Sequence, residues 1–105
     1  MLKILIVDDE ILVRMGLKLS IEWESHGFTI IGEAPDGVTA LEIIKKKQPD
    51  IVLTDIKMPK MSGLELLQQI NKIDRKIKVI ILSNHNDFTY AQEAIQLGAV
   101  NYLIK

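Results

Sequence analysis

Leu2-Lys3-Ile4-Leu5-Ile6-Val7-Asp8-Asp9 opens the chain and sets how the rest is read. A short aliphatic run, broken only by Lys3, stops abruptly on two carboxylates. A run of this length and composition suits a strand buried on both faces, as in a parallel sheet. It falls far short of the about 20 residues that a membrane helix needs. It also lacks the longer apolar stretch and small-residue cleavage site of a secretory signal. The expectation is a soluble, cytoplasmic protein with no membrane partner.

Four further runs of the same kind occur at residues 28–32, 51–54, 77–82 and 100–104. Between them apolar residues take helical spacing. Val13, Leu17 and Ile21 recur every four residues; Val38, Leu41 and Ile44 every three; Leu64, Leu67, Ile70 and Ile73 every three; Phe88, Ala91 and Ile95 complete the set. Each group is predicted to form one stripe facing a sheet. Ser62 and Glu65 have the spacing of a capping box, and Asp36 and Asp87 are candidate N-caps. Gly27 and Gly98 stand where a left-handed residue ends a helix, and Pro49 and Pro59 fall between elements. Lys45-Lys46-Lys47 reads as a solvated helix end whose lysines complement the dipole.

Strand and helix thus alternate four times before a last strand, which implies an α/β fold with right-handed crossovers and a mostly parallel sheet. The 105 residues suffice for one compact domain. Hydrophobic residues make up 48% and charged residues 26%, which excludes intrinsic disorder. Aromatics are only 5%, so Ile, Leu and Val must fill the core. Thirteen Lys plus Arg against 14 Asp plus Glu leave a net charge of -1, so nothing favours direct nucleic-acid contact. The absence of cysteine excludes disulfides and thiolate metal sites, and fits a reducing compartment.

In doubly wound sheets the functional site lies at the carboxyl ends of the strands. Asp8 and Asp9 follow the first strand and Asp55 the third, and those strands are neighbours in such an order. Three like charges so close repel unless a cation compensates. A hard divalent ion such as Mg²⁺ takes oxygen ligands and keeps waters. Singly, Asp9 is accounted for as a helix cap and Asp55 as a turn residue; together they are not, because caps need no acidic cluster. Ser83 and Lys105 stand at the ends of the fourth and fifth strands. A hydroxyl and an ammonium there suit charge stabilisation of a phosphoryl group on Asp55. Alone, each is an ordinary turn serine or surface lysine.

These residues, with Ile6-Val7-Asp8-Asp9-Glu10, Asp36-Gly37, Leu53-Thr54-Asp55-Ile56-Lys57-Met58-Pro59, Gly63, Leu82-Ser83, Ala99 and Tyr102-Leu103-Ile104-Lys105, resemble the receiver domain of bacterial two-component response regulators. The resemblance runs over the whole chain. It implies a CheY-like, flavodoxin-like five-stranded parallel sheet of order 2-1-3-4-5. It implies that Asp55 is the phosphoacceptor, served by a sensor histidine kinase or a small acyl-phosphate donor. Mg²⁺ would be held by Asp8, Asp9, Asp55 and the backbone carbonyl of Lys57, with Asp9 a direct ligand and Asp8 acting through water. Ser83 matches the switch hydroxyl, Tyr102 the switch aromatic and Lys105 the phosphoryl-contacting lysine. The implied readout is homodimerisation on activation and control of a DNA-binding effector outside this chain. Ile21-Glu22-Trp23-Glu24 with His26-Gly27 resembles the subgroup with AraC-type effectors. Trp23 otherwise reads as packing, and His26 and His85 as exposed.

Asn84 departs from the family pattern, where a smaller residue follows the switch hydroxyl. Lys57 and His85 occupy positions that tune phosphoryl lifetime in the family. The family also has a final helix after the fifth strand. The chain is therefore expected to be a receiver domain over 1–105, cut after that strand, with its open face covered by unseen sequence or by a segment-exchanged dimer. Two other functions stay in view. One is a constitutive interaction module. The other is a Mg²⁺ phosphohydrolase, which usually has a second Asp where Lys57 stands. A flavodoxin-like cofactor role is weaker, because no hydroxyl- or Gly-rich phosphate loop follows Val7.

Overall fold

The computed structural model describes the backbone at residues 1–74, 76–83, 92–93, 95–99 and 101–104, and the side chains of these except Ser83 and 101–104. The elements are β1 (Leu2–Val7), α1 (Ile11–Ser20), a 3₁₀ turn (Glu24–His26), β2 (Phe28–Ala34), α2 (Gly37–Lys47), β3 (Ile51–Asp55), α3 (Gly63–Ile73), β4 (Lys78–Ser83) and β5 (Asn101–Ile104). The strands form one five-stranded sheet in the order β2-β1-β3-β4-β5, and all four pairings are parallel. The predicted order is therefore observed. Residues 92–93 and 95–96 are helical, where a fourth helix was expected; Asp87, Phe88 and Ala91 lie outside the described residues.

The two faces of the sheet are unequally covered. On one, Leu5, Val7, Val52, Val79 and Ile81 meet Ala40 and Ile44 of α2 and Leu66, Leu67 and Ile70 of α3. On the other, Ile4, Ile6 and Leu53 form a smaller cluster with Leu17, Trp23, Phe28 and Ile80. Trp23 is pinned there as a packing residue: its Nε1 donates to the Leu17 carbonyl at 3.0 Å. Its ring meets Phe28 edge-on at 6.3 Å and 87°.

Helix ends follow the sequence closely. Asp36 caps α2, its Oδ1 accepting from the Thr39 amide at 2.7 Å. Ser62 and Glu65 form both halves of the capping box on α3. Gly27 and Gly98 have φ of +88° and +113°, although Gly27 ends the 3₁₀ turn rather than α1. The end of α2 differs: Gln48 takes the left-handed position at φ 48° just before Pro49, a place where glycine is usual.

The helical stripes need correction. In α2 the buried residues are Gly37, Ala40 and Ile44, while Val38 is 42% exposed. Gly37 is the reason: a Cβ there would stand 2.8 Å from the Met61 side chain, so the glycine edge faces inward and Val38 turns out. In α3 the buried set is Gly63, Leu66, Leu67 and Ile70, and Ile73 is 44% exposed at the last turn. In α1 no residue is buried, and Ile21 lies beyond the helix as its extended C-cap. β2 continues two residues past its predicted end, and a register shift at Ile4/Leu5, which passes over Ile31, accounts for the second of them by bringing Ala34 opposite Val7.

Candidate functional site

Register brings the acidic residues together. Val7 pairs with Thr54 and Asp55 with Leu82. Asp8, one residue beyond Val7, is therefore level with Asp55 at the carboxyl ends of adjacent central strands. Both are buried, Asp8 at 0% and Asp55 at 6% exposure, although nothing apolar in the sequence marks them for burial. Placing two carboxylates out of water is costly unless their oxygens are satisfied. The main chain supplies part of this: the Glu10 amide donates to Asp8 Oδ1 at 2.9 Å, and the Ile56 amide donates to Asp55 Oδ1 at 2.7 Å.

Asp9 is exposed and is not the cap of α1; Glu10 takes that position, and no side chain caps the helix. Asp8, Asp9 and Glu10 instead form a cluster, each offering a carboxylate oxygen, with these oxygens within 4.8 Å of one another. Octahedral Mg²⁺ at about 2.1 Å from each ligand spans about 4.2 Å between opposite oxygens. Hard oxygen donors at this spacing fit such an ion after small side-chain adjustments. Glu10 was not singled out from the sequence; only its place in the run Asp8-Asp9-Glu10 could have signalled it. Asp55 stands level with the cluster across the strand pair but is not one of its three carboxylates.

The loop after Asp55 is built to hold its strand end in place. Thr54 Oγ1 donates to the Asp55 carbonyl at 2.9 Å. The Gly63 amide donates to the Ile56 carbonyl at 2.6 Å, closing the loop that contains Lys57. A Cβ on Gly63 would lie 2.1 Å from the Asp55 carbonyl oxygen. Only glycine lets α3 start so near the strand end. The Asp36 carboxyl, with Lys60 Nζ 3.7 Å away, is held below the ordinary carboxylate range, chiefly by the Thr39 amide.

A second cluster sits behind Asp8. Arg14 of α1 donates from Nη1 to the Asp8 carbonyl at 2.6 Å and from Nε to Glu33 Oε1 at 2.8 Å. Lys18 pairs with the other oxygen of Glu33. The bonds from Lys18 and then Arg14 hold the Glu33 carboxyl below its ordinary value. Neither Arg14 nor Glu33 was expected at the site, since partners drawn from α1 and β2 leave no motif in the sequence.

Of the other expected residues, Lys57 is exposed in the loop after β3. Ser83 is the last residue of β4, paired with Ile104 of β5, and Tyr102 pairs with Ile81; their side chains lie outside the described residues. Lys105, Asn84 and His85 lie outside them altogether. His26 is exposed in the 3₁₀ turn. No helix among the described residues is long and apolar enough to cross a membrane.

Comparison with known proteins bears on this arrangement. A family model described as response regulator receiver domain matches residues 4–105. The transcriptional regulatory protein YesN of Bacillus subtilis is 46% identical over the whole of this chain and 28% of its own length. HptR of Staphylococcus aureus, also a transcriptional regulatory protein, is 45% identical over the whole chain and 41% of its own. The chain thus spans well under half of the curated relatives it matches. Among solved structures, the REC domain of AraT from Geobacillus stearothermophilus has a TM-score of 0.94 at 36% identity, over 99% of this chain and 81% of that one. A chain of the CheX–CheY–BeF3⁻–Mg²⁺ complex from Borrelia burgdorferi has a TM-score of 0.88 at 33% identity, over 99% of this chain and 78% of its own.

Proposed function

Because this chain belongs to the response regulator receiver domain family, we propose that it is a phosphorylation-dependent switch in which Asp55 accepts a phosphoryl group. The observation that carries this is the pairing of two buried carboxylates, Asp8 and Asp55, level with each other on the central strands. A carboxylate oxygen of Asp55 attacks phosphorus, an acyl phosphate forms, and the bond to the donor's leaving group breaks. The donor is the phosphohistidine of a sensor kinase or a small acyl phosphate. The chain performs this transfer on itself and does not turn over an external substrate.

Asp8, Asp9 and Glu10 are suited to hold Mg²⁺ beside Asp55, with the Lys57 carbonyl as a further oxygen donor. When bound, the ion neutralises carboxylate charge and the developing charge on phosphoryl oxygens. The Ile56 amide orients Asp55, and the Gly63 contact keeps its strand end fixed. Ser83 and Lys105 are assigned the remaining phosphoryl oxygens, and Tyr102 the relay of the change to the surface. The CheY relative in complex with BeF3⁻ and Mg²⁺ supports the metal assignment. The transcriptional regulators among the relatives support a DNA-binding effector outside these residues, with homodimerisation as the output.

The test is incubation with Mg²⁺ and acetyl phosphate, followed by intact mass. One added phosphoryl group is expected, absent in Asp55→Asn and absent when Mg²⁺ is chelated. No adduct with any donor would instead leave a constitutive interaction module.

A further inference from the structure

Arg14 stands apart from the helix that bears it. α1 has no buried residue, yet the Arg14 side chain is only 12% exposed. Its planar guanidinium is spent on two fixed acceptors, the Asp8 carbonyl at 2.6 Å and Glu33 at 2.8 Å. Asp8 is also tied to β2 through its amide, which donates to the Ala34 carbonyl at 3.0 Å. The strand therefore anchors the Val7–Asp8 peptide, and Arg14 anchors the next one, linking Asp8 to Asp9, through its carbonyl. That peptide aims the Asp9 carboxylate, because turning its plane swings everything after Asp8.

We propose that Arg14 is a positioning residue for the cation site, acting through the Asp8 main chain, with Glu33 and Lys18 fixing the guanidinium from β2 and α1. The inference rests on the metal role assigned above to Asp8 and Asp9. It makes a claim about sign. A guanidinium beside a cation site repels the cation, so if Arg14 mattered only as a charge, its removal would tighten Mg²⁺ binding. As a positioning group, its removal loosens binding, as loss of outer-shell partners does.

The experiment is a Mg²⁺ titration by calorimetry of the whole chain, its Arg14→Gln, Arg14→Lys and Glu33→Gln variants, and the double variant, with urea unfolding of each as a control on folding. Arg14→Gln should weaken Mg²⁺ binding roughly tenfold, the low end for such partners. Glu33→Gln should give a smaller loss of the same sign, and the double variant should bind no more weakly than Arg14→Gln. Arg14→Lys should recover part of the affinity, because a lysine reaches one acceptor and not two. Unchanged or tighter binding in folded Arg14→Gln, or fully additive losses, would overturn the inference and leave the metal site standing. A wild-type chain that binds no Mg²⁺ would overturn both.

Discussion

Gly63 and Asp36 show how single atoms govern the site. The Asp55 carbonyl oxygen would lie 2.1 Å from a Cβ on Gly63, so Gly63→Ala must push α3 away from the loop. Overpacking of this kind costs about 1–3 kcal/mol. Urea unfolding should show that loss, and phosphoryl uptake should slow, because the moved backbone belongs to Asp55, the proposed phosphoacceptor. Asp36 gives a pH signature. Its folded-state carboxyl is held low by the Thr39 amide and, less strongly, by Lys60. A lowered folded value stabilises the protein above the unfolded value, near about 3.9. That contribution disappears as pH falls through the still lower folded value. Asp36→Asn should therefore be less stable than wild type near neutrality by about 0.5 kcal/mol, the scale of a charge at a helix N-terminus. The difference should close as pH drops below about 4, read from urea midpoints across the range.

The helices differ in how firmly they are held. α3 has a complete capping box and four buried residues, Gly63, Leu66, Leu67 and Ile70. α1 has no side-chain cap and none buried, with Leu12 and Leu19 about four-fifths exposed at 78% and 80%. Local opening follows buried apolar contact. Amide hydrogen exchange should show α1 opening at much lower free energy than α3, with protection in α3 approaching that of β3. Equal protection of the two helices would contradict the packing. This asymmetry also gives Arg14 its weight, since its bonds to Asp8 and Glu33 are among the few fixed attachments of α1.

For the whole molecule, the proposed cation site would link Mg²⁺ binding to the stability of the fold. Mg²⁺ that binds the folded chain alone should add about 2.7 kcal/mol at a hundredfold excess over its dissociation constant. The urea midpoint should rise with Mg²⁺ and fall back with a chelator. Asp9→Asn should lose most of that rise. Without Mg²⁺ the same variant should be no less stable than wild type, because it removes one of three crowded carboxylates.

Element order, sheet type and the strand-end position of the acidic residues were legible in the sequence for local reasons. A buried parallel strand is largely apolar, so the runs 2–7 and 51–54 announced themselves, and the aspartates that come directly after them pointed to the carboxyl edge of the sheet; in the structure β3 runs on to include Asp55. Asp36 and Ser62 were legible because a cap acts within three residues. What tertiary structure alone decided concerns contacts between distant segments. Gly37 against Met61 turned Val38 outward. The β1–β2 register shift lengthened β2. Glu10 joined the acidic cluster, and Arg14 reached the Asp8 carbonyl and Glu33. Local spacing fixes which face of an element is apolar. Which neighbour meets that face, and at what rotation, is settled by close packing and hydrogen-bond satisfaction across the whole chain.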